Sequence, residues 1–282
     1  TLETNIIQKE QIEKKNKEIT DSIHYAKYIQ KAILPREDKL AKLLPDHFVM
    51  YNPKNIVSGD FYWVTEVEGR VILATADCTG HGVPGAFMSM LGVSFLNEIV
   101  NKEYITHPGI ILKRLRKEVI HALHQEGTIG EQRDGMDIGL CSFDFTASEL
   151  QFSGANTPIY IIRTKDKETI TADNIVEFGE QVLYEIKGDN MPIALYEKME
   201  KFELFEIKIH KGDCIYLFSD GFADQFGGAN KKRFQYKAFK QLLLENCTKP
   251  MKEQKQMLES EFEKWQDGFE QIDDVMVLGI KI

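Results

Sequence analysis

Cysteine is scarce in this chain of 282 residues: four are present, and no two stand at the CxxC spacing. That scarcity excludes a disulfide framework and a cysteine-rich zinc cluster. Two of the four lie in apolar stretches typical of strands, so we interpret them as reduced core thiols and expect an intracellular compartment. The four are Cys78, Cys141, Cys214 and Cys247.

Basic charge is also in deficit. Lys and Arg number 35 against 44 Asp and Glu, which gives a net charge of −9 and a pI near 5.4. Because binding to a phosphate backbone needs a basic face, these values argue against nucleic acid as the partner.

Long apolar runs are missing too. None approaches the ~20 residues that a membrane-spanning helix needs, and residues 1–20 are polar rather than signal-like. The sequence therefore predicts a cytoplasmic domain. Since it starts inside a helical pattern without an initiator Met, we expect it to belong to a longer protein, such as the cytoplasmic part of a membrane-associated sensor.

Residues 1–34 are predicted to form a helical linker. Ile12, Ile19, Ala26 and Ile33 recur every seven residues, and Pro35 ends the pattern. Two interpretations remain open for this helix. It packs on its own domain, or it pairs with a second copy as a coiled coil and carries a signal from an upstream sensor domain. The second interpretation predicts a homodimer.

From residue 45 onward the apolar pattern changes to a period of two, in segments rich in Val, Ile, Phe and Tyr. Helical patterns come in consecutive pairs, one pair after residue 83 and one after residue 232. This order does not alternate as parallel βαβ units do. It predicts an α+β fold with a two-layer antiparallel β-sandwich flanked by helix pairs (α-β-β-α), over residues 45–282. The strand candidates are HFVMYNP, FYWVTEVEG, RVILATAD, MDIGLCSFDF, LQFSGANTPIYIIR, FELFEIKIHKGDCIYLFSDG and DDVMVLGIKI.

Aspartates stand at the ends of four of these apolar segments: Asp60, Asp77, Asp220 and the pair Asp273 and Asp274. A single aspartate in such a place is usually a turn former or a helix cap. Four of them converging on one rim would repel each other strongly unless cations neutralise them. Ligands that are all oxygen select Mg²⁺ or Mn²⁺ over zinc. Two such ions activate a water for in-line attack on phosphorus, so the pattern indicates hydrolysis of a phosphate ester.

The motifs SGDFY, ADCTGHGVPGA, SDGFAD and DDVMVLGI, in this order and spacing, resemble the metal-dependent protein phosphatases of the PPM (type 2C) family, in its bacterial SpoIIE/RsbU-like branch. The resemblance covers about residues 45–282. It implies a site for two Mn²⁺ or Mg²⁺ ions at one end of the sandwich, and activity on phosphoserine or phosphothreonine in a protein.

The resemblance also implies roles for individual residues. By position, Asp77 bridges both metals, and the backbone carbonyl of Cys78 is a further ligand. Asp60 and Asp220 complete the shell of one metal, directly or through water. In the last motif the family ligand aligns with Asp273, whereas Asp274 stands where many members have Asn.

Two positions depart from the eukaryotic members of this family. A His that is thought to act there as general acid is replaced by Thr79, which leaves His81 as the imidazole nearby. His81 either protonates the leaving group or hydrogen-bonds its own loop. An Arg that holds the phosphate in those members is replaced by Asn55, so we expect Lys54 to be the phosphate clamp.

The glycines of the second motif are interpreted as turn formers. Gly80 and Gly82 let the chain turn tightly before a helix that starts near Val83. Asp134 and Asp137 lie where a third, weaker metal binds in some relatives, but a turn at a strand entry explains them equally well.

Taken together, the sequence predicts a Ser/Thr protein phosphatase at the output end of a bacterial signalling protein. By resemblance, its substrate is a small phosphorylated anti-sigma-factor antagonist. Two other functions remain open: a catalytically silent interaction module with the same fold, and a metal-dependent nucleotidyl hydrolase, which would need a base-binding groove.

Overall fold

The computed structural model describes residues 2–128, 133–228 and 231–282 of the chain. The helices within these residues are α1 Leu2–Ile33, α2 Glu37–Leu43, α3 Gly82–Leu96 with a π-helical continuation Asn97–Lys102, α4 Pro108–Ala122, α5 Gly221–Asp224, α6 Tyr236–Asn246 and α7 Met251–Gln266. The strands are β1 Asp46–Asn52, β2 Phe61–Val67, β3 Arg70–Cys78, β4 Met136–Asp144, β5 Glu149–Ala155, β6 Ile159–Thr164, β7 Asn174–Phe178, β8 Gln181–Ile186, β9 Phe205–Lys208, β10 Cys214–Phe218, β11 Phe226–Gly227, β12 Lys232–Arg233 and β13 Val275–Lys281.

Two large sheets dominate the structure. One has six strands in the order β1-β13-β10-β6-β8-β7, and the other has five in the order β2-β3-β4-β5-β9. All of their ladders are antiparallel. The predicted antiparallel sandwich is therefore confirmed.

Three apolar layers hold the sheets and helices together. The middle layer lies between the sheets, where side chains such as Leu73 and Leu217 interdigitate. Neighbouring residues point the other way: Ala74 faces the first helix pair, and Phe218 faces the second. This alternation is the period of two that the sequence shows. It yields the predicted α-β-β-α order of layers, with α3 and α4 outside one sheet and α6 and α7 outside the other.

Two strand candidates were wrong as single strands. The stretch 150–163 forms β5 in the five-stranded sheet and β6 in the six-stranded sheet, and Asn156 turns between them with φ 54°. Residues 205–218 divide in the same way between β9 and β10. An alternating pattern continues across such a crossing because both strands face the same inter-sheet core. The hairpin of β7 and β8, which turns at Gly179 with φ 56°, was not predicted.

The N-terminal helix α1 has two parts. Residues 4–22 are exposed on every side, and Ile12 and Ile19 are 58% and 59% exposed. From Ile23 onward one face packs on the domain, and Gln30 and Leu34 are buried. Packing on its own domain thus holds for the second part of α1, and pairing with a second copy stays open for the exposed first part.

Residues between the two predicted domains also join the core. Helix α2 follows Pro35, and its Leu40 is buried in the layer between the sheets, as is Leu44 just after it. The packed core of the domain predicted for residues 45–282 thus also includes residues from about Gln30 onward. The boundaries at 34 and 45 stay a prediction.

One described helix is long and apolar enough to cross a membrane, judged by length and composition alone. It is Gly82–Lys102, with 21 residues and a mean hydropathy of 1.4. We did not expect such a run from the sequence. Half of its most apolar window is buried in the domain, and Met88, Val93 and Leu96 pack into the layer over the five-stranded sheet. It is a core helix of this fold.

Candidate metal centre

The first two predicted aspartates lie side by side at one end of the five-stranded sheet. Strands β2 and β3 pair antiparallel with Phe61 opposite Ala76. Asp60, just before β2, therefore lies next to Asp77, near the end of β3. Asp60 is 1% exposed.

The six-stranded sheet supplies the other two carboxylates. Strands β10 and β13 pair antiparallel with Phe218 opposite Val277. The pairing continues beyond β10, because the backbone N–H of Ser219 donates to the carbonyl oxygen of Met276 at 3.0 Å. Asp220 and Asp273 therefore lie at the same end of two neighbouring strands.

The electrostatics show that the two sheets bring these carboxylates to one place. The pKa of Asp77 is raised to about 10, first by burial and then by the negative charges of Asp60, Asp220 and Asp273. Burial also raises the pKa of Asp60 well above its usual value, with added contributions from Asp274, Asp273 and Asp220. We refer to Asp60, Asp77, Asp220 and Asp273 as the acidic rim.

Asp220 belongs to the same group. Its pKa is raised to about 6, first by burial and then by the charges of Asp273 and Asp224, whereas a hydrogen bond with Asp77 lowers it. Ser219, its neighbour, forms a hydrogen bond with Asp60 that lowers the pKa of that carboxyl. Side chains from the two sheets therefore contact each other directly at the rim.

Two oxygens of the rim fit a cation site. Asp60 Oδ2 and Asp220 Oδ1 are buried and have no hydrogen-bond partner among the described residues. A buried, unpaired carboxylate oxygen is costly unless a cation or a proton satisfies it. Across residues 2–128, 133–228 and 231–282, no group of three or more His, Cys, Asp or Glu side chains already has the arrangement of a metal site. The argument that these residues can bind a cation therefore rests on the two unsatisfied oxygens. All of the candidate donor atoms are oxygens, which suits Mg²⁺ or Mn²⁺.

The structure distinguishes the two aspartates of the last motif. Asp274 is 3% exposed, and its two oxygens each accept a backbone hydrogen bond of 2.7 Å, from Lys54 N–H and from Gly59 N–H. Asp273 is half-buried; its Oδ1 accepts from the N–H of Asp274 at 2.8 Å, and its backbone carbonyl accepts from Gln271 Nε2 at 2.7 Å. Asp274 thus holds the loop before Asp60 in place, and Asp273 keeps lone pairs for a cation.

The loop after Asp77 turns as predicted. Gly80 and Gly82 have φ values of 82° and 66°, which residues other than glycine rarely adopt. Helix α3 begins at Gly82. Thr79, at the place of the eukaryotic His, is a structural residue: its Oγ1 accepts from Gly135 N–H at 3.1 Å. The loop is thereby tied to the entrance of β4.

His81 forms the hydrogen bond that one of its two interpretations predicts. Its Nδ1 donates to Asn55 Oδ1 at 2.7 Å. That bond links the loop after Asp77 to the loop before Asp60. The general-acid role of His81 and the phosphate clamp by the Lys54 side chain stay predictions, as does the Cys78 carbonyl ligand.

Asp137 lies close to the rim, opposite Asp77 in the β3–β4 ladder. Asn156 Nδ2 donates to its Oδ1 at 2.8 Å, and burial raises its pKa. The carbonyl oxygen of Asp134 accepts from Gln125 Nε2 at 2.6 Å, which closes the turn before β4.

Sequence reasoning missed the residue that ties α1 to this site. Gln30 Nε2 donates to the carbonyl oxygen of Ser58 at 2.6 Å and to Ser89 Oγ at 2.9 Å, and Gln30 Oε1 accepts from Ser58 N–H at 3.1 Å. A signal was present in the sequence: Gln30 falls between Ala26 and Ile33 on the packed face of a helix. A polar residue on such a face needs a partner.

A two-layer antiparallel sandwich with helix pairs outside and an acidic rim at one end defines the PPM (type 2C) phosphatase class. Within that class, the chain belongs to the SpoIIE family: the model of this family, described as Stage II sporulation protein E (SpoIIE), matches residues 67–282.

Three similar proteins place the chain further. It is 24% identical over 214 residues to Phosphoserine phosphatase RsbU of Bacillus subtilis (strain 168), and the match covers 72% of this chain and 54% of that protein. The chain thus spans about half the length of this relative. Among solved structures, the SiaA-PP2C domain of Pseudomonas aeruginosa superposes with a TM-score of 0.79 at 29% identity, covering 95% of this chain and 98% of that one. The PP2C phosphatase domain of SpoIIE from Bacillus subtilis, solved with a fragment of its regulatory domain, has a TM-score of 0.61 at 17% identity. The match covers 84% of this chain and 63% of that one.

Proposed function

We propose that this protein hydrolyses phosphoserine or phosphothreonine in a protein substrate. The observation that carries this proposal is the acidic rim, in which Asp60 Oδ2 and Asp220 Oδ1 are buried and find no hydrogen-bond partner in the described part of the chain. Membership of the SpoIIE family and similarity to a phosphoserine phosphatase support it.

The rim residues would hold two Mn²⁺ or Mg²⁺ ions. Asp77, the Cys78 carbonyl, Asp60, Asp220 and Asp273 are the groups that would hold them. When bound, such ions supply charge neutralisation and an activated water for in-line displacement at phosphorus. Asp274 keeps the loop before Asp60 in register through its two backbone hydrogen bonds. His81 and Lys54, at the edge of the rim, are candidates to protonate the leaving group and to hold the phosphate.

The substrate we propose is a small anti-sigma-factor antagonist carrying phosphoserine or phosphothreonine. The resemblance of the motifs to the SpoIIE/RsbU-like branch supports this choice. The mild negative charge of the chain argues against a nucleic-acid substrate.

We also propose that α1 joins two copies of the protein and links the rim to an upstream sensor domain in a cytoplasmic signalling protein. The exposed Ile12 and Ile19 support pairing of its first part. The hydrogen bonds of Gln30 to Ser58 and Ser89 support coupling, because they join α1 to the loop before Asp60 and to α3. Movement of the first helix pair, residues 84–125, would then change the affinity of the rim for its cations.

The test is phosphate release from three substrates with and without Mn²⁺: a phosphoserine protein, p-nitrophenyl phosphate and a nucleotide. The proposal predicts Mn²⁺-dependent release from the phosphoserine protein. Absence of release from all three would instead support the silent interaction module, and release from the nucleotide alone would support the nucleotidyl hydrolase.

A further inference from the structure

The first residue of α6, Tyr236, lies beside the acidic rim. Its ring centroid is 6.4 Å from that of Phe218, the last residue of β10, at an interplanar angle of 50°. Phe218 precedes Asp220 by two residues. Tyr236 is nevertheless 40% exposed. The ring is therefore anchored on the apolar layer while part of it faces solvent near Asp220.

The backbone fixes this position firmly. Gln235 has φ 74° and ψ 146°, a conformation that residues other than glycine rarely adopt. Its N–H donates to the carbonyl oxygen of Ala223 at 2.7 Å, in the short helix α5 that follows Asp220. The rings of Phe222 and Phe239 pack 4.9 Å apart and hold α6 on α5. Sparsely populated backbone conformations cluster at ligand sites, where the surroundings enforce them.

The hydroxyl of Tyr236 is in an acidic environment. Burial raises the pKa of Tyr236, and the negative charges of Asp220, Asp224 and Asp77 raise it further. Gln235 is hydrogen-bonded to Ala223, three residues after Asp220, so Tyr236 lies at the end of the six-stranded sheet that carries Asp220. A tyrosine hydroxyl carries its proton at neutral pH in any case, so it can donate a hydrogen bond.

A phosphoryl group at the rim needs donors as well as cations. Asn55, in the loop before Asp60, is held by His81 through its Oδ1, and its uncharged amide can donate only through Nδ2. A neutral phenol can donate to phosphate without forming the ion pairs that a guanidinium would form with four nearby carboxylates.

We propose that Tyr236 is a substrate-binding residue whose hydroxyl donates a hydrogen bond to the phosphoryl group of the bound phosphoserine or phosphothreonine. This inference rests on the proposed function, since it names a further contact of the same site.

The test compares the Mn²⁺-loaded wild type with Tyr236→Phe, which removes the hydroxyl and keeps the ring packing. Calorimetry measures the affinity for inorganic phosphate, and steady-state kinetics measure kcat/KM on a phosphoserine peptide. Loss of a hydrogen bond to a charged group predicts that both fall about tenfold. The matched control is Tyr104→Phe, an exposed tyrosine on the turn before α4, and it leaves both unchanged.

The urea midpoint of each variant shows that its fold is intact. A Tyr236→Phe protein that binds phosphate as tightly as the wild type overturns the inference. A wild type that binds phosphate but releases none from any phosphoserine substrate contradicts the proposed function instead. In that case the phosphate titration still decides the role of Tyr236.

Discussion

Gln30 Nε2 donates to the carbonyl oxygen of Ser58 at 2.6 Å, two residues before Asp60. The same side chain accepts from Ser58 N–H and donates to Ser89 on α3. One buried amide therefore joins the N-terminal helix, the loop that positions a rim carboxylate, and the first helix pair. Any rotation of α1 that moves Gln30 breaks hydrogen bonds next to the acidic rim.

Replacing Gln30 tests this connection. Gln30→Ala removes the partner of the Ser58 N–H and leaves the Ser58 carbonyl with a long hydrogen bond of 3.4 Å from Ser89 Oγ, so we expect the free energy of unfolding to fall by about 2 kcal/mol. We also expect a higher Mn²⁺ concentration for half-maximal phosphatase activity. Titration of activity with Mn²⁺ measures this shift. Gln11→Ala on the exposed part of α1 is the control, and equal Mn²⁺ dependence in both variants would contradict the coupling.

The exposed part of α1 predicts a dimer. Ile12→Asp combined with Ile19→Asp places charges on the apolar stripe, so we expect sedimentation equilibrium to show a monomer where the wild type is a dimer. The control, Lys17→Asp with His24→Asp, changes the opposite face of the same turns and should stay dimeric. A wild type that is monomeric at all concentrations would refute pairing through this helix.

The two neighbouring aspartates of the last motif should have separable effects. Asp274→Ala removes the acceptor for Lys54 N–H and Gly59 N–H, so we expect the metal-free protein to lose about 2–5 kcal/mol of unfolding free energy. Asp273→Ala removes one side-chain hydrogen bond and the proposed cation ligand, so it should lower Mn²⁺ affinity with a smaller loss of stability. Urea unfolding and calorimetric Mn²⁺ titration measure the two effects. If Asp274→Ala instead lowers Mn²⁺ affinity and Asp273→Ala mainly lowers stability, Asp274 is the ligand.

The raised pKa values predict how stability depends on pH without metal. The pKa of Asp77 rises from 3.8 to about 10 on folding, and that of Asp220 rises from 3.8 to about 6. The folded protein therefore binds more protons than the unfolded chain between these values. It follows that the free energy of unfolding falls as the pH rises, from about 4 to 6 for Asp220 and up to about 10 for Asp77.

Urea unfolding in a chelator at several pH values measures this slope. Asp77→Asn, which mimics the protonated carboxyl, should make the slope above pH 6 shallower, while Asp60, whose pKa is also raised, still contributes to it. Mn²⁺ should restore stability to the wild type at high pH. Asp21→Asn, an exposed carboxylate on α1, is the control and should keep the slope. A metal-free wild type whose stability rises steadily from pH 5 to 9 would contradict the crowding of charges at the rim.

Some of this architecture could be read from the sequence, and some could not. The alternation around residues such as Leu217 and Phe218 predicts strands with two buried faces, and the aspartates at strand ends predict the rim. The crossing at Asn156 leaves no gap in that alternation, so it was not visible. Gln30 and Tyr236 depend on contacts between distant segments, and nothing in their local sequence specifies the partner. Asp274 could be distinguished from Asp273 only once the N–H groups that it binds were located.

The most direct test of the central claim is Mn²⁺-dependent release of phosphate from a phosphoserine protein by the wild type, Asp77→Asn and Asp220→Asn. The account predicts release by the wild type that a chelator abolishes, and a loss of about hundredfold or more in either variant, with the fold intact by urea unfolding. Release that persists in the chelator, or that either variant retains at the wild-type rate, would show that the acidic rim does not carry the reaction.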